Sequence, residues 1–364
     1  MDTVNPSENS KPVQKINIRT MAREDLAQWL EQNNEPSFRA KQIFEWLWIK
    51  GADHFNMMTN LPQSLRARLE ESFVFHIAEV DIIQKSQDGT IKVGFALHDG
   101  RTVEGVIIPT SKRITACISS QVGCTLHCSF CATGQLKRDR NLAFSEIVDQ
   151  VRGLNRLALD QFGRGLTNIV FMGMGEPLLN LEEVFRATEI LTAEEAMNMA
   201  SRRITLSTVG IVRGIRKLAE RGSKFNLAWS LHAATNAKRA QIMDINKSNP
   251  IEEVVEVIKE FYAHTKRKIT LEYILFQKFN DSEEDARNLV SIAKEFPCFI
   301  NLIEYNSVEG VPLERTTPTR SRRFLEILTD SGLEAHIRRS RGHDIDAACG
   351  QLAGKNNDLN RLLP

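Results

Sequence analysis

Residues 122–132 read Val-Gly-Cys-Thr-Leu-His-Cys-Ser-Phe-Cys-Ala, which sets Cys124, Cys128 and Cys131 in the spacing C-x-x-x-C-x-x-C. Three thiolates at that spacing can grip three corners of a cubic iron–sulfur cluster and leave the fourth iron open. A cluster built only for electron transfer normally takes four cysteine ligands. An open iron can instead chelate the amino and carboxylate groups of S-adenosylmethionine, which is how radical chemistry starts. A structural zinc site is the competing reading, but zinc prefers four closed ligands, usually two C-x-x-C pairs. The chain has no second pair, which favours the open cluster.

Outward from this stretch the pattern is regular. Strand-like runs at 114–119, 168–172, 204–207, 225–231, 269–276 and 299–305 alternate with amphipathic stretches at 145–159, 181–194, 211–221, 251–264, 282–295 and 319–331. Six β/α units predict an α/β fold with a parallel sheet, curled into a barrel or partial barrel. A seventh strand is expected at 335–339. Parallel β/α barrels carry their active-site residues on loops after the carboxyl ends of strands. The cysteine triplet follows the first strand here, and Gly173-Met174-Gly175-Glu176-Pro177 follows the second. Ser207-Thr208 ends the third, Ser230-Leu231-His232 the fourth, and Asn306 the sixth.

Residues 1–16 are polar and are expected to form a disordered tail. Over 17–75 the apolar positions Leu26, Trp29, Leu30, Ile43, Phe44, Leu47 and Trp48 fall at helical spacing. Leu61-Pro62 opens a further helix, since proline is tolerated in the first turn. This segment is too small for a catalytic core and is expected to be a helical accessory domain. Residues 76–110 change period: Ile91, Val93, Phe95 and Leu97 alternate, His98-Asp99-Gly100 turns, and Val103 to Ile108 returns. That predicts a β-hairpin linker. The core is then expected over 111–341, with a C-terminal tail at 342–364 carrying Cys349.

The 364 residues, 42% hydrophobic and 26% charged, suit a soluble globular protein with a sizeable core. The polar start offers no signal peptide, and no eighteen apolar residues run together, so no membrane contact is expected. Three cysteines in a cluster motif require a reducing compartment, which points to the cytoplasm. A net charge of +1 gives no global sign of nucleic-acid binding. Local basic groups are Lys137, Arg138 and Arg140; Arg202 and Arg203; Lys266, Arg267 and Lys268; and Arg338, Arg339 and Arg341. Such runs are usually solvated faces. Arg39, Lys41, Lys50, Arg66 and Arg68 decorate the N-terminal helices.

The cysteine spacing, with Phe130 directly before the last cysteine, resembles the signature of the radical S-adenosylmethionine superfamily. Gly175-Glu176 resembles that superfamily's glycine–glutamate element, which offers an exposed backbone and an acceptor for the cofactor's ammonium. The plainer reading is a glycine turn before a helix, with Glu176 against the N-terminal dipole. The resemblance implies cofactor contacts from Gly175, Glu176, Ser207, Ser230, Leu231, His232 and Asn306. His127 stays outside the ligand set, because three thiolates already supply it.

A closer likeness lies in Ser119-Ser-Gln-Val-Gly-Cys124, Cys131-Ala-Thr-Gly134, Arg140-Asn-Leu142, Val170-Phe-Met-Gly-Met-Gly-Glu-Pro177, Ser230-Leu-His-Ala233 and Ala347-Ala-Cys-Gly-Gln-Leu352. These resemble the adenine-C2 RNA methylase family over roughly residues 20–355. Glu304-Tyr305-Asn306 and Met243-Asp244-Ile245-Asn246 depart from the commonest family pattern, which affects loop geometry and no presumed catalytic group. The resemblance implies methylation of adenine C2 in 23S rRNA and in tRNA by a monomer holding a [4Fe–4S] cluster. It also implies two S-adenosylmethionine molecules per turnover and a flavodoxin-type electron donor. Cys349 would first take a methyl group by nucleophilic displacement. A radical formed from the second cofactor molecule would activate that methyl for addition to C2. Glu104 would remove the C2 proton, and Cys117 would attack the Cys349 sulfur, leaving a transient disulfide.

For Glu104 the bland reading is an exposed cross-strand carboxylate; for Cys298 it is an inert small hydrophobe. An adenine-C8 methylase shares the same catalytic residues and is the nearest rival. A zinc-bound RNA-binding protein is a rival from another class, and a radical activase would leave Cys349 unexplained.

Overall fold

The structure, a computed structural model, describes residues 15–136 and 138–353. The expected tail falls outside the described residues up to position 14, and Ile16 already belongs to a short strand. Two compact units divide the chain, one ending at Ile77 and the other beginning at Ala78.

The first unit is helical, as its 3.6-residue periodicity requires. Helices run over Arg23–Gln32, Arg39–Glu45 and Gln63–Ser72, the second passing into a single π-helical turn over Trp46–Lys50. Pro62 sits at the N-cap of the third. Leu26, Leu30, Ile43, Leu47, Leu65 and Leu69 are fully buried, so each helix turns one apolar stripe inward. The ends of the unit are extended rather than helical: Ile16–Asn17 pairs in parallel with Phe73–Val74.

A ten-stranded sheet organises the second unit. Its strands are β1 (Glu79–Lys85), β2 (Ile91–Ala96), β3 (Thr102–Pro109), β4 (Ile114–Cys117), β5 (Asn168–Phe171) and β6 (Ile204–Thr208). They continue as β7 (Asn226–Ser230), β8 (Ile269–Leu275), β9 (Cys298–Glu304) and β10 (Ala335–Arg338). Each strand bonds to its neighbours in sequence, antiparallel from β1 to β4 and parallel from β4 to β10.

Six helices cover the parallel part: α1 (Phe144–Phe162), α2 (Leu181–Thr192), α3 (Val212–Glu220), α4 (Ile251–Thr265), α5 (Glu283–Ala293) and α6 (Pro318–Asp330). The result is the expected α/β partial barrel of six β/α units plus a last strand. Local chemistry sets the helix ends. Glu146 accepts the Ala143 N–H at 2.9 Å to open α1, and Gly163 closes it at φ +64°. Thr317 caps α6, with Pro318 in its first turn.

Residues 76–110 are more than a two-stranded linker. They supply three strands, and Val106 pairs with Cys117, so the antiparallel wing is continuous with the parallel sheet. Alternation marks Ile91 to Leu97 as a strand but is silent on what bonds to its outer edge. The first strand of the wing, with a register shift between Val80 and Ile82, was not legible. Among the described residues no helix is long and apolar enough to cross a membrane.

Candidate active site

The ends of the parallel strands open onto one cavity of about 920 Å³. Cys124, Cys128 and Cys131 line it from the loop after β4; Gly175 and Glu176 line it after β5. Ser207, Ser230 and His232 follow from the ends of β6 and β7, and Cys349 from the C-terminal segment. The strand ends therefore bring all of these together except Cys349, which the C-terminal segment carries in.

The cysteine loop is held rigidly. Cys131 N–H donates to Cys128 O at 3.1 Å and Ser129 N–H to Ile242 O at 3.0 Å. Phe130 packs edge-on to the His232 ring at 5.0 Å and tilts against Phe276 at 5.6 Å. Met243 and Tyr305, from the two stretches that depart from the family pattern, belong to the same apolar cluster. Burial pushes the Cys124 thiol up to about 11, and raises Cys128 and Cys131 as well. Thiols must ionise to bind metal, so loading this loop would release protons. Among the described residues no three His, Cys, Asp or Glu side chains converge on a single metal ion.

Gly175 sits at φ +92°, and a Cβ there would lie 2.5 Å from Gln121 Cβ. Gln121 is itself fully buried and accepts the Glu176 N–H at 2.9 Å. Gly175→Ala is expected to cost about 1–3 kcal/mol of stability, through the left-handed backbone and the displaced glutamine. Urea denaturation of the two proteins measures it; an unchanged midpoint would show that the turn relaxes freely.

Glu176 keeps part of the plainer role. Its carboxylate accepts the Leu178 N–H at 3.0 Å, capping the following turn, and the Val209 N–H at 3.0 Å. Burial still pushes its carboxyl up to about 7. His232 accepts the Ile274 N–H on Nδ1 at 3.2 Å, which leaves Nε2 as the N–H donor. Burial holds it neutral, with its pKa down at about 3.

Four sequence-stretch residues sit differently. Leu231 is fully buried in the core and does not line the cavity. Asn306 donates to Cys349 O at 3.4 Å, and its own Oδ1 is buried without a partner. Cys117 ends β4, where burial, with the Cys349 thiol nearby, pushes its pKa up to about 12. Cys349 is solvent-accessible, yet the protein packed around it pushes its thiol up to about 11.

Glu104 is not an exposed carboxylate: it is 5% exposed on β3. It faces Lys92 at 3.6 Å, accepts the Ala353 N–H at 2.8 Å, and lines a second cavity of about 880 Å³. Residues 346–353 stand between the two cavities, with Cys349, Gly350 and Leu352 on the first and Asp346, Gln351 and Ala353 on the second. Cys298 lies away from both, its Sγ 3.4 Å from Ala293 O.

Sequence reasoning missed Gln121, Glu272 and Arg338. Gln121 lay inside a quoted motif, and Arg338 ends a strand as Ser230 does. Glu272 sits mid-strand among apolar residues, where a buried carboxylate is itself the signal.

A partial β/α barrel with three such cysteines after its first parallel strand defines a radical S-adenosylmethionine protein. The superfamily's own family model matches residues 118–290, and one described as the ribosomal RNA large subunit methyltransferase N-terminal domain matches residues 16–75. The chain is 47% identical to the probable dual-specificity RNA methyltransferase RlmN of Cytophaga hutchinsonii over 346 residues, 95% of each chain. It is 40% identical to the dual-specificity RNA methyltransferase RlmN of Desulfotalea psychrophila, covering 93% of this chain and 95% of that one. A crystal structure of a radical SAM methyltransferase from Sphaerobacter thermophilus matches at TM-score 0.87 and 39% identity, covering 93% of this chain and 100% of that one. The chain belongs to the RlmN family of dual-specificity RNA methyltransferases. Membership of the superfamily implies a [4Fe–4S] cluster and S-adenosylmethionine, and three thiols lining one cavity fit that pair.

Proposed function

We propose that the chain methylates C2 of adenine in 23S rRNA and in tRNA, with Cys349 as the carrier of the new carbon. The observation that carries this reading is the opening of Cys349 onto the same cavity as Cys124, Cys128 and Cys131. A carbon on the Cys349 sulfur is thereby in reach of whatever the three cysteines hold. Adenine C2 has no lone pair and is electron-poor, so ordinary polar methyl transfer does not serve it.

Cys124, Cys128 and Cys131 hold the cluster in this reading. Glu176, Ser207, Ser230, His232 and Asn306 hold the cofactor, with Gly175 contributing backbone; Leu231, off the cavity and with its N–H and carbonyl already bonded, takes no part. The cluster and cofactor, when bound, would supply the one-electron chemistry that activates a methyl group carried on Cys349. Cys349 acts first as a nucleophile toward that methyl and then presents its carbon to C2. Glu104 accepts the C2 proton in this reading. Cys117, electrostatically coupled to Cys349, then attacks the Cys349 sulfur and breaks its link to the RNA. A flavodoxin-type donor and a monomeric state complete the expectation.

The test is the anaerobically reconstituted protein given rRNA and tRNA with labelled S-adenosylmethionine. Mass spectrometry of the digested RNA is expected to find 2-methyladenosine in both. Finding 8-methyladenosine instead would move the chain to the rival chemistry, and a colourless zinc protein would remove it from the class.

The N-terminal unit supplies part of the RNA affinity. Within it Arg39 and Arg68 share Glu35, and Arg66 donates to Asn56 O at 3.0 Å. Lys50 lies over the Trp46 ring at 4.0 Å, and Lys41 is exposed. Those two lysines are free for phosphate contacts. A chain beginning at Ala78 is expected to bind rRNA more weakly, with a salt slope shallower by about two. Filter binding across salt concentrations measures this; an identical affinity and slope would refute it.

A further inference from the structure

The basic run near the end of the chain reads in the sequence as a solvated face, and the structure divides it. Arg341 donates to the carbonyls of Pro109 and Asp88, and Arg339 is exposed. Arg338, the last residue of β10, is half-buried and lines the cavity that holds Cys349. Among the described residues its guanidinium closes no ion pair, and its polar contact is Nη1 to Met172 Sδ at 4.0 Å. Its charge is nonetheless felt at Cys349, Cys117 and Glu272. Glu272 lines the same cavity, accepts from Asn301 at 2.8 Å on Oε1, and leaves Oε2 buried without a partner. It attracts Arg338 without coming within salt-bridge distance, which keeps the fork in the cavity with its donors unspent.

A guanidinium has five N–H donors and no acceptor, so it asks the occupant of the cavity for acceptors. In adenine, C2 is bonded to N1 and N3, and each carries an in-plane lone pair. C8 is bonded to N7, which accepts, and to N9, which carries the sugar and does not. When C2 meets the carbon on Cys349, N1 and N3 lie one bond away from that meeting point. We propose that Arg338 donates a hydrogen bond to a ring nitrogen flanking C2 of the target adenine, and so holds that carbon against Cys349. The proposal rests on the functional reading above. Donation from a cation also draws electron density away from C2 as the new bond forms.

The test is a cycle between protein and base. Wild type, R338K and R338Q are reconstituted anaerobically and given an RNA fragment with adenine, 1-deazaadenine or 3-deazaadenine at the methylated position. R338Q is expected to methylate the adenine RNA about 10- to 100-fold more slowly, the range for a hydrogen bond to a charged group. That penalty is expected to vanish on one of the two deaza substrates, where the acceptor is already gone. R338K, which keeps the charge without the fork, is expected to fall between. Methylation of Cys349, followed by peptide mass spectrometry, and S-adenosylmethionine affinity, measured by equilibrium dialysis, should fall far less than RNA methylation. An equal penalty on all three RNAs would overturn the proposal. So would a loss of Cys349 methylation or cofactor affinity as large as the loss on RNA. If R338Q fails to fold, R338K carries the same cycle. A wild-type protein that methylates none of the RNAs overturns the functional reading itself.

Discussion

Cys117→Ala is expected to accumulate a covalent protein–RNA species approaching one RNA per enzyme, while Cys349→Ala forms none. In the proposed function Cys349 accepts the methyl group, so without it neither methylated protein nor adduct is expected to form. Without Cys117 the carbon still reaches the RNA, but nothing displaces it from the Cys349 sulfur. Cys117 ends β4, and Cys349 is near enough to contribute to its raised pKa. Burial holds both thiols high, near 12 and 11, so each attack requires a proton to leave as the sulfur engages. A denaturing gel should show a slow band in Cys117→Ala that disappears after nuclease treatment. The double variant should behave as Cys349→Ala alone. An adduct that persists without Cys349, or normal turnover without Cys117, would overturn these roles and leave the cluster assignment standing.

Cys124→Ala, Cys128→Ala or Cys131→Ala should each remove bound iron and reduce RNA methylation to background. The proposed set of three ligands leaves no spare, and the alanines remain compatible with the apolar cluster around Leu126, Phe130 and Met243. The cost to the fold should be only about 1 kcal/mol, typical of a single substitution. Iron analysis, the visible absorbance band and the melting temperature separate lost ligation from lost structure. Full iron in any one folded variant would remove that cysteine from the ligand set.

The strands at 114–119, 168–172, 204–207, 225–231, 269–276 and 299–305 were legible because burial on both faces of a parallel strand leaves a short apolar run. The helices between them were legible from their 3.6-residue stripe. Once those periods are read, the strand-end rule places the cysteine triplet, Glu176, Ser207, Ser230 and His232 at one mouth without coordinates. The triplet itself is a local signal, since its spacing is fixed by a few consecutive residues. Periodicity and spacing are properties of near neighbours along the chain, and these features need nothing more.

Other features depend on partners far away in sequence. The Ala132 N–H meets Gly350 O at 2.7 Å and the Thr133 hydroxyl meets Leu352 O at 2.5 Å, which docks the C-terminal segment on the cysteine loop and puts Cys349 in the cavity. Glu104 looks like any exposed strand carboxylate until Lys92 and Ala353 close over it. Arg338 and Arg341 are alike in composition, yet one enters the cavity and the other is spent on Pro109 and Asp88. The capture of Glu176 by two backbone amides depends on where Val209 arrives from the next strand. Each of these is a packing outcome between segments whose separation along the chain carries no periodic mark, so it is decided by which surfaces meet once the sheet has formed.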